Sequence, residues 1–405
     1  MDAMFQSTIE DLKRIHKFSD DELRILDAAD AAAEELAVPE FEHYIKREYD
    51  PEAPAIAKKH GLFKVPIKKE YGGLGASPLV AALVKQRLGH LGMGFGSFYN
   101  VQVFLCSLAL QRWGSDHLRE KYLKPAANGD KVLAFGLTEP EHGSDPASLE
   151  TNFEDNGSSY VINGTKYLIS NGSVADAMIV FARSKSDKKI SAFVVDTKTS
   201  GFSAMRMEEK IGLFTSDTAM PEFKDMEVPK ENLLGELGKG LHVAYSSLLN
   251  GRMGIAAGCV GIIEQSLSAA TQRARERFQH GKLIGKHQLI QKHIAEIRQN
   301  LEMARWPLYY AAIRKEQYDA NPTDKELARE MDLRASLAKK IASRLAFESA
   351  DRAVQIFGGF GYSLLSPVGP LFIDSRVTRI YEGSDEIQEL KIASGVLGDD
   401  FRAFD

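Results

Sequence analysis

The chain has 405 residues, 44% hydrophobic and 26% charged, with a formal net charge of −5; that length supports a large core shared among two or three lobes. The slight acidity and the lack of an arginine–aromatic stripe argue against nucleic acid as a partner. The two cysteines, Cys106 and Cys259, have no CxxC partner, which argues against a disulfide framework or a metal site and for a reducing compartment.

The start, MDAMFQSTIEDLKRIHKFSDDELRILDAADAAAEEL, is acidic and helical, with neither the apolar stretch of a secretory signal nor the Arg/Ser-rich character of a transit peptide. No run approaches 18 apolar residues, so the expectation is a cytoplasmic protein without a membrane span. Residues 1–130 read as a helical domain. Ile25, Ala28, Ala29, Ala32 and Leu36 recur at helical spacing, Val80–Leu91 and Val103–Trp113 continue the pattern, and YGGLG (Tyr71–Gly75) marks a tight loop.

Residues 131–238 change period. Asn-Gly pairs at Asn156, Asn163 and Asn171 are hairpin signals, and YVING, AMIVFA and ISAFVVD are β-rich, so an antiparallel β domain is expected. Residues 239–405 return to the helical period. Ile290, Ile294, Ile297, Leu301, Ala304, Leu308 and Ala311 form an a/d seam, and a further long helix runs from about Asp324 to Phe357. A helix bundle accounts for both.

Four segments can carry chemistry. FGLTEPEHGSD (Phe135–Asp145) places hydroxyls and backbone N–H groups on a loop between strands, suited to a planar polar ring edge or a pyrophosphate. LLNGRMGIAAGCVG (Leu248–Gly261) puts Arg252 inside an apolar stripe with Leu241, Tyr245, Leu248, Ile255 and Cys259; a structural carboxylate partner and a functional anion are equally open. Gly251, Gly254, Gly258 and Gly261 leave a bare strip for a second helix or a ligand. RARERFQHG (Arg273–Gly281) gathers cations at a helix end, which the helix dipole alone explains. Finally, Gln355–Ala393 combines a glycine-rich helix stop (Gly358, Gly359, Gly361) with IYEGSDEIQ, which sets Glu382 before a last helix with Asp385 and Gln388 spaced as a capping box. Taken singly, each segment has an ordinary structural account.

In this order and at these separations, LTEPEHGSD, NGTKYLISNG, Arg277–Gly281 with His287–Gln288, QIFGGFGY and DSRVTRIYEGSDEIQ resemble the acyl-CoA dehydrogenase family, over nearly the whole chain. The resemblance implies an α+β multidomain fold: an N-terminal helical domain, a middle β-barrel-like domain and a C-terminal four-helix bundle, assembled as a homotetramer. It implies FAD as cofactor. Phe135, Leu137, Thr138, Gly143, Ser144, Leu168, Ile169 and Ser170 would surround the flavin ring. Arg277, Gln279, His280 and Gln288 would reach the FAD of a neighbouring subunit, as would Gln355, Ile356, Gly358 and Gly359. Ser384 and Glu386 match further cofactor contacts. Glu382 matches the base that takes the α proton of an acyl-CoA while the β hydrogen leaves as hydride to the flavin. Ser144, Arg252 and Gly383 match substrate contacts, and electron-transferring flavoprotein is the implied acceptor.

The sequence departs from the family in places. Some branches carry the base beside Arg252, where this chain has Gly251, which leaves Glu382 as the motif-matched acid. Leu168 stands where many members have tryptophan, and His280 where phenylalanine is common. Members that bind a distal carboxylate carry an arginine where this chain has Gly96 and a serine where it has Asn100; their absence points to a short or branched monocarboxylic acyl chain. An acyl-CoA oxidase, an enoyl-CoA reductase and a flavin-free assembly partner are the rival functions, separated by peroxide production, by reaction direction and by flavin colour respectively.

Overall fold

The structure, a computed structural model, describes residues 2–401 and 403. Eight helices open the chain: α1 (Ala3–Lys13), α2 (Asp20–Lys46), α3 (Ala53–Lys59), α4 (Pro78–Gly89), α5 (Gly94–Tyr99), α6 (Leu108–Trp113), α7 (Asp116–Leu118) and α8 (Lys124–Asn128). Local chemistry sets their limits. Ser19 and Glu22 close a reciprocal capping box at the start of α2, and Arg47 ends it in the left-handed region. Between α5 and α6 the helix widens into a π-helical segment, Asn100–Ser107, with every residue buried. Such local expansions recur at functional sites because they re-aim side chains.

Nine strands follow: β1 (Leu133–Gly136), β2 (Asn152–Asp155), β3 (Ser159–Thr165), β4 (Ile169–Ser170), β5 (Ala177–Ser184), β6 (Ile190–Asp196), β7 (Phe202–Arg206), β8 (Thr218–Pro229) and β9 (Leu233–Leu234). They form one sheet of order β4-β8-β3-β2-β5-β6-β9, with β1 on β5 and β7 on β8. The expected all-antiparallel pairing is corrected: β1 and β2 both run parallel to β5, so the sheet is mixed. Along β5, Ala177, Ile179 and Phe181 face the core shared with α6 and α8, whereas Met178, Val180 and Ala182 face a second core lined by Phe153, Phe193 and Val228. Burial on both faces explains why AMIVFA is continuously apolar rather than alternating.

Of the three Asn-Gly pairs, Asn156-Gly157 makes the β2–β3 turn, where the Asn156 side chain accepts from the Ser158 and Ser159 N–H groups. Asn163-Gly164 instead marks a bulge within β3, where a Cβ on Gly164 would lie 2.6 Å from Thr151. Asn171 follows β4 in the left-handed region.

The C-terminal region is built on α9 (Gly240–Glu276), α10 (Gln288–Ala320) and α11 (Lys325–Phe357), joined by the shorter α12 (Gly369–Val377) and α13 (Asp385–Leu397). Asp324, expected as about the first residue of this helix, is its N-cap and accepts from the Leu327 N–H. A two-strand hairpin, β10 (Phe278–Gln279) and β11 (Lys282–Leu283), links α9 to α10. Helix α9 is long and apolar enough to cross a membrane, but 89% of its most apolar window is buried within the fold, so its apolarity is satisfied by neighbouring helices. Helix α4 of the first domain packs directly on it, where Gly89 meets the Gly258 carbonyl and Gly261 the Gln86 carbonyl.

Candidate active site

The site forms where α9, the π-helical segment and the loop before α13 converge. Glu382 (φ 57°) and Gly383 (φ 89°) are consecutive left-handed residues, a conformation that costs a non-glycine residue about 1 kcal/mol and persists only where the surroundings enforce it. They do so here. Gln388 Nε2 donates to the Gly383 carbonyl at 2.9 Å and to that of Glu382 at 3.3 Å, and Lys339 Nζ donates to the Gly383 carbonyl at 2.7 Å. The expected capping box is corrected: Ser384 caps α13 by accepting from the Ile387 N–H, which leaves Gln388 free to turn back on the loop.

This turn lays the Glu382 carboxylate over Gly251. A Cβ on Gly251 would lie 2.3 Å from Oε2, so the absence of a side chain there is what admits the acid. Oε1 accepts from Asn100 Nδ2 at 3.0 Å, while Oε2 is buried with no hydrogen-bond partner. Among the described residues the Glu382 N–H also has no acceptor. Burial pushes the Glu382 carboxyl up to about 7, against the lowering pull of Arg252, Lys339 and the Asn100 bond. An unpartnered carboxylate poised near neutrality suits a general base.

Arg252 has a carboxylate partner within the chain. It is buried, and Nη1 pairs with Asp332 Oδ1 at 2.7 Å, while Asp332 also takes Lys391 at 2.9 Å. Its Nε is buried with no hydrogen-bond partner, so the guanidinium lends positive potential to Glu382 with part of its fork unpaired. The apolar stripe assigned to its helix is buried only in part, because Tyr245 is 44% exposed beside the Asp145 carboxylate. That proximity brings the Phe135–Asp145 loop to the start of α9.

The loop expected to hold a flavin ring divides into two kinds of residue. Thr138 and Ser170 are half-buried, Gly143 and Ser144 are exposed, and Leu168 (φ 56°) presents a half-exposed side chain. The Thr138, Ser144 and Ser170 hydroxyls find no partner among the described residues. Phe135, Leu137 and Ile169 point into the cores, as does Ile356 at the end of α11. Those four side chains are committed to packing and can offer a ligand only backbone groups. Open hydroxyls beside an exposed apolar surface fit an isoalloxazine ring.

One pair that sequence reasoning missed holds this loop in place. Lys166 and Glu139 form a buried ion pair at 2.7 Å. Lys166 Nζ also donates to the Leu137 carbonyl, and Glu139 accepts from the Glu150 and Thr151 N–H groups. Burial alone would raise the Glu139 carboxyl, yet Lys166 and those bonds hold it below its ordinary value, while burial brings Lys166 down to about 8. Lys166→Met would leave Glu139 charged and unpaired in the core. We expect a loss of about 3 kcal/mol or more and easier flavin release, read by thermal melting with flavin fluorescence.

The remaining expected cofactor residues lie elsewhere. Arg277, Gln279, His280 and Gln288 are exposed on and beside the β10–β11 hairpin, whose turn uses left-handed His280 and Gly281. Arg273 stacks over the Phe357 ring at 5.4 Å, which sets this hairpin beside the exposed Gln355, Gly358 and Gly359. These residues gather at the far end of α9, about 38 Å from Gly251 at the α-helical rise, so one chain does not bring them to Glu382. Ser384 spends its hydroxyl as the cap, and Glu386 is exposed beside it.

Three domain descriptions of one family match in succession: acyl-CoA dehydrogenase N-terminal domain over residues 19–130, middle domain over 134–226 and C-terminal domain over 238–397. An acyl-CoA dehydrogenase of Bacillus subtilis is 38% identical over 343 residues, 84% of this chain and 88% of that protein. The butyryl-CoA dehydrogenase structure from Megasphaera elsdenii superposes with a TM-score of 0.89 at 34% identity, covering 95% of this chain and 100% of that one. A chain in the structure of the electron transferring flavoprotein of Acidaminococcus fermentans gives 0.89 at 35% identity, covering 95% and 99%. The succession of domains, the shared fold and the geometry around Glu382 place the chain in the acyl-CoA dehydrogenase family, FAD-dependent oxidoreductases.

Proposed function

We propose that the protein dehydrogenates a short acyl-CoA thioester between its α and β carbons, with Glu382 as the base. The observation that carries this reading is the free Oε2 of Glu382, buried above Gly251 with its carboxyl raised to about 7. Glu382 accepts the α proton on Oε2 while Asn100 holds Oε1 still. As charge grows on the thioester oxygen, the unpaired N–H of Glu382 stands ready to donate to it, and a preorganised donor of this kind is worth several kcal/mol of barrier. Arg252 and Lys339 keep the acid ionisable at neutral pH. Thr138, Ser144 and Ser170 would hold the FAD ring, which when bound supplies the oxidising equivalent for the β hydrogen.

The distance between Glu382 and the Arg277–Gln288 hairpin supports a second proposal. If the hairpin and the Gln355–Gly359 turn serve FAD, they serve that of a neighbouring copy, which supports a homo-oligomer; the homotetramer is what the family resemblance implies. The similarity to a chain in an electron transferring flavoprotein structure supports electron-transferring flavoprotein as the acceptor.

Anaerobic titration with butyryl-CoA tests the reading. Flavin absorbance near 450 nm is expected to bleach stoichiometrically; a flavin that stays oxidised with every acyl-CoA tried would overturn it.

A further inference from the structure

The helix that carries Asn100 starts without a cap of its own. It runs unbroken from Gly94 through the π-helical segment to Trp113, and its N-cap residue, Met93, offers no side-chain hydrogen bond. The first backbone N–H groups of a helix need acceptors from elsewhere. Here two carboxyl groups from distant elements supply them. Asp374 on α12 accepts from the Met93 N–H at 3.0 Å, and Glu40 on α2 accepts from the Phe95 N–H at 3.0 Å.

Glu40 lies at a junction of all three domains. Its Oε1 also accepts from the Thr215 hydroxyl on the β7–β8 connection. Asp374 accepts from the Leu213 N–H on the same connection and from the Tyr44 hydroxyl of α2. Gly94 is what lets these groups meet: a Cβ there would lie 1.7 Å from Thr215 Oγ1 and 2.4 Å from Glu40 Oε1. Glu40 is buried, and its Oε2 has no hydrogen-bond partner among the described residues. Burial, with Asp50 and Asp374 nearby, pushes this carboxyl up to about 8 against the pull of the Thr215 and Phe95 bonds. At neutral pH it is therefore mostly protonated, an uncharged clasp and not a member of an ion pair.

We propose that Glu40 is a positioning residue for the dehydrogenation: it fixes the start of this helix and so holds the Asn100 amide against the Glu382 carboxylate. The proposal rests on the acyl-CoA reading above and adds no chemical step to it. Asn100 follows Gly94 by about 9 Å at the α-helical rise, and its Nδ2 meets Glu382 Oε1 at 3.0 Å. Without its cap the start of the helix frays, and the amide at the end of that short arm leaves the carboxylate. Glu382 then loses a bond that lowers its carboxyl, so the signature of lost positioning is a pH step displaced upward. A residue that merely stabilised the fold would lower the melting temperature and leave that step in place.

The test follows anaerobic flavin reduction by butyryl-CoA as a function of pH in the intact holoenzyme. Asn100→Ala is expected to lower kcat/KM by on the order of 100-fold and to move the pH step up from its wild-type position. Glu40→Ala is expected to move the step the same way, with a loss of about tenfold or more. Glu40→Gln keeps an acceptor for both donors and the neutral charge of the protonated acid, so it is expected to match wild type. Effects at independent sites this far apart multiply, whereas the double variant Glu40→Ala/Asn100→Ala is expected to be no slower than Asn100→Ala alone. Multiplied losses in the double variant, an unmoved step in Glu40→Ala or in Asn100→Ala, or a Glu40→Gln enzyme as slow as Glu40→Ala each overturn the proposal. Should Glu40→Ala not fold, Glu40→Asp carries the same test, because it withdraws the carboxyl by about 1.5 Å; an unmoved step again overturns it. If neither butyryl-CoA nor any other acyl-CoA bleaches the wild-type flavin, the acyl-CoA reading itself fails and this proposal falls with it.

Discussion

Glu382→Gln is expected to slow flavin reduction by three orders of magnitude or more while retaining FAD and still binding CoA thioesters. The amide keeps the size of the acid and can still take the Asn100 hydrogen bond at one atom, but it cannot accept the α proton. Rapid-mixing absorbance at saturating thioester reads the rate directly; normal reduction by the variant would remove Glu382 from the chemistry. The same substitution has an opposite effect on stability. A carboxyl raised from 4.5 to about 7 in the folded state carries no penalty below pH 4.5, an increasing one as pH rises from 4.5 to 7, and a constant one above. Glu382→Gln is therefore expected to be more stable than wild type at pH 8, by about 3 kcal/mol, with a correspondingly higher melting temperature, and to melt at nearly the same temperature as wild type at pH 4.

Gly251→Ala separates position from stability. The new methyl would fall 2.3 Å from Oε2, well inside contact distance, so the carboxylate must move by about 1 Å. A misplacement of that size costs on the order of 100-fold in rate. Alanine is nevertheless a better residue than glycine inside α9, by about 1 kcal/mol. The expected variant is folded, yellow and slow. Thermal melting and the flavin reduction rate, measured together, check it; a fully active Gly251→Ala enzyme places the base elsewhere.

The long helices were legible because burial repeats at their period. Ile297, Leu301, Ala304, Leu308 and Ala311 of the a/d seam are all buried in α10, and Asp324 caps α11. The sheet was legible in outline but not in direction, since AMIVFA reads as a buried strand without saying that β1 and β2 run parallel to it. Asn-Gly pairs misled at Asn163 because a bulge and a hairpin ask the same tolerance of the backbone. Glu382 stood out through its motif, yet the reason it fits, the missing side chain of Gly251, lies on another helix. Partnerships across long separations left no local signal at all. Arg252 meets Asp332 across 80 residues and Lys166 meets Glu139 across 27. Lys85 in LVKQRLG looks like any helix-surface lysine, and only the packing of α4 on α9 makes it a buried cation.

As the proposed base, Glu382 carries a carboxyl that burial has raised to about 7. The pH dependence of kcat/KM for flavin reduction tests this role most directly, because that parameter reports ionisations of the free enzyme. The expected rate rises tenfold per pH unit below about 7 and levels off above it, with this step absent from the residual activity of Glu382→Gln. A profile flat from pH 5 to 9, or a step that survives the substitution, would contradict it.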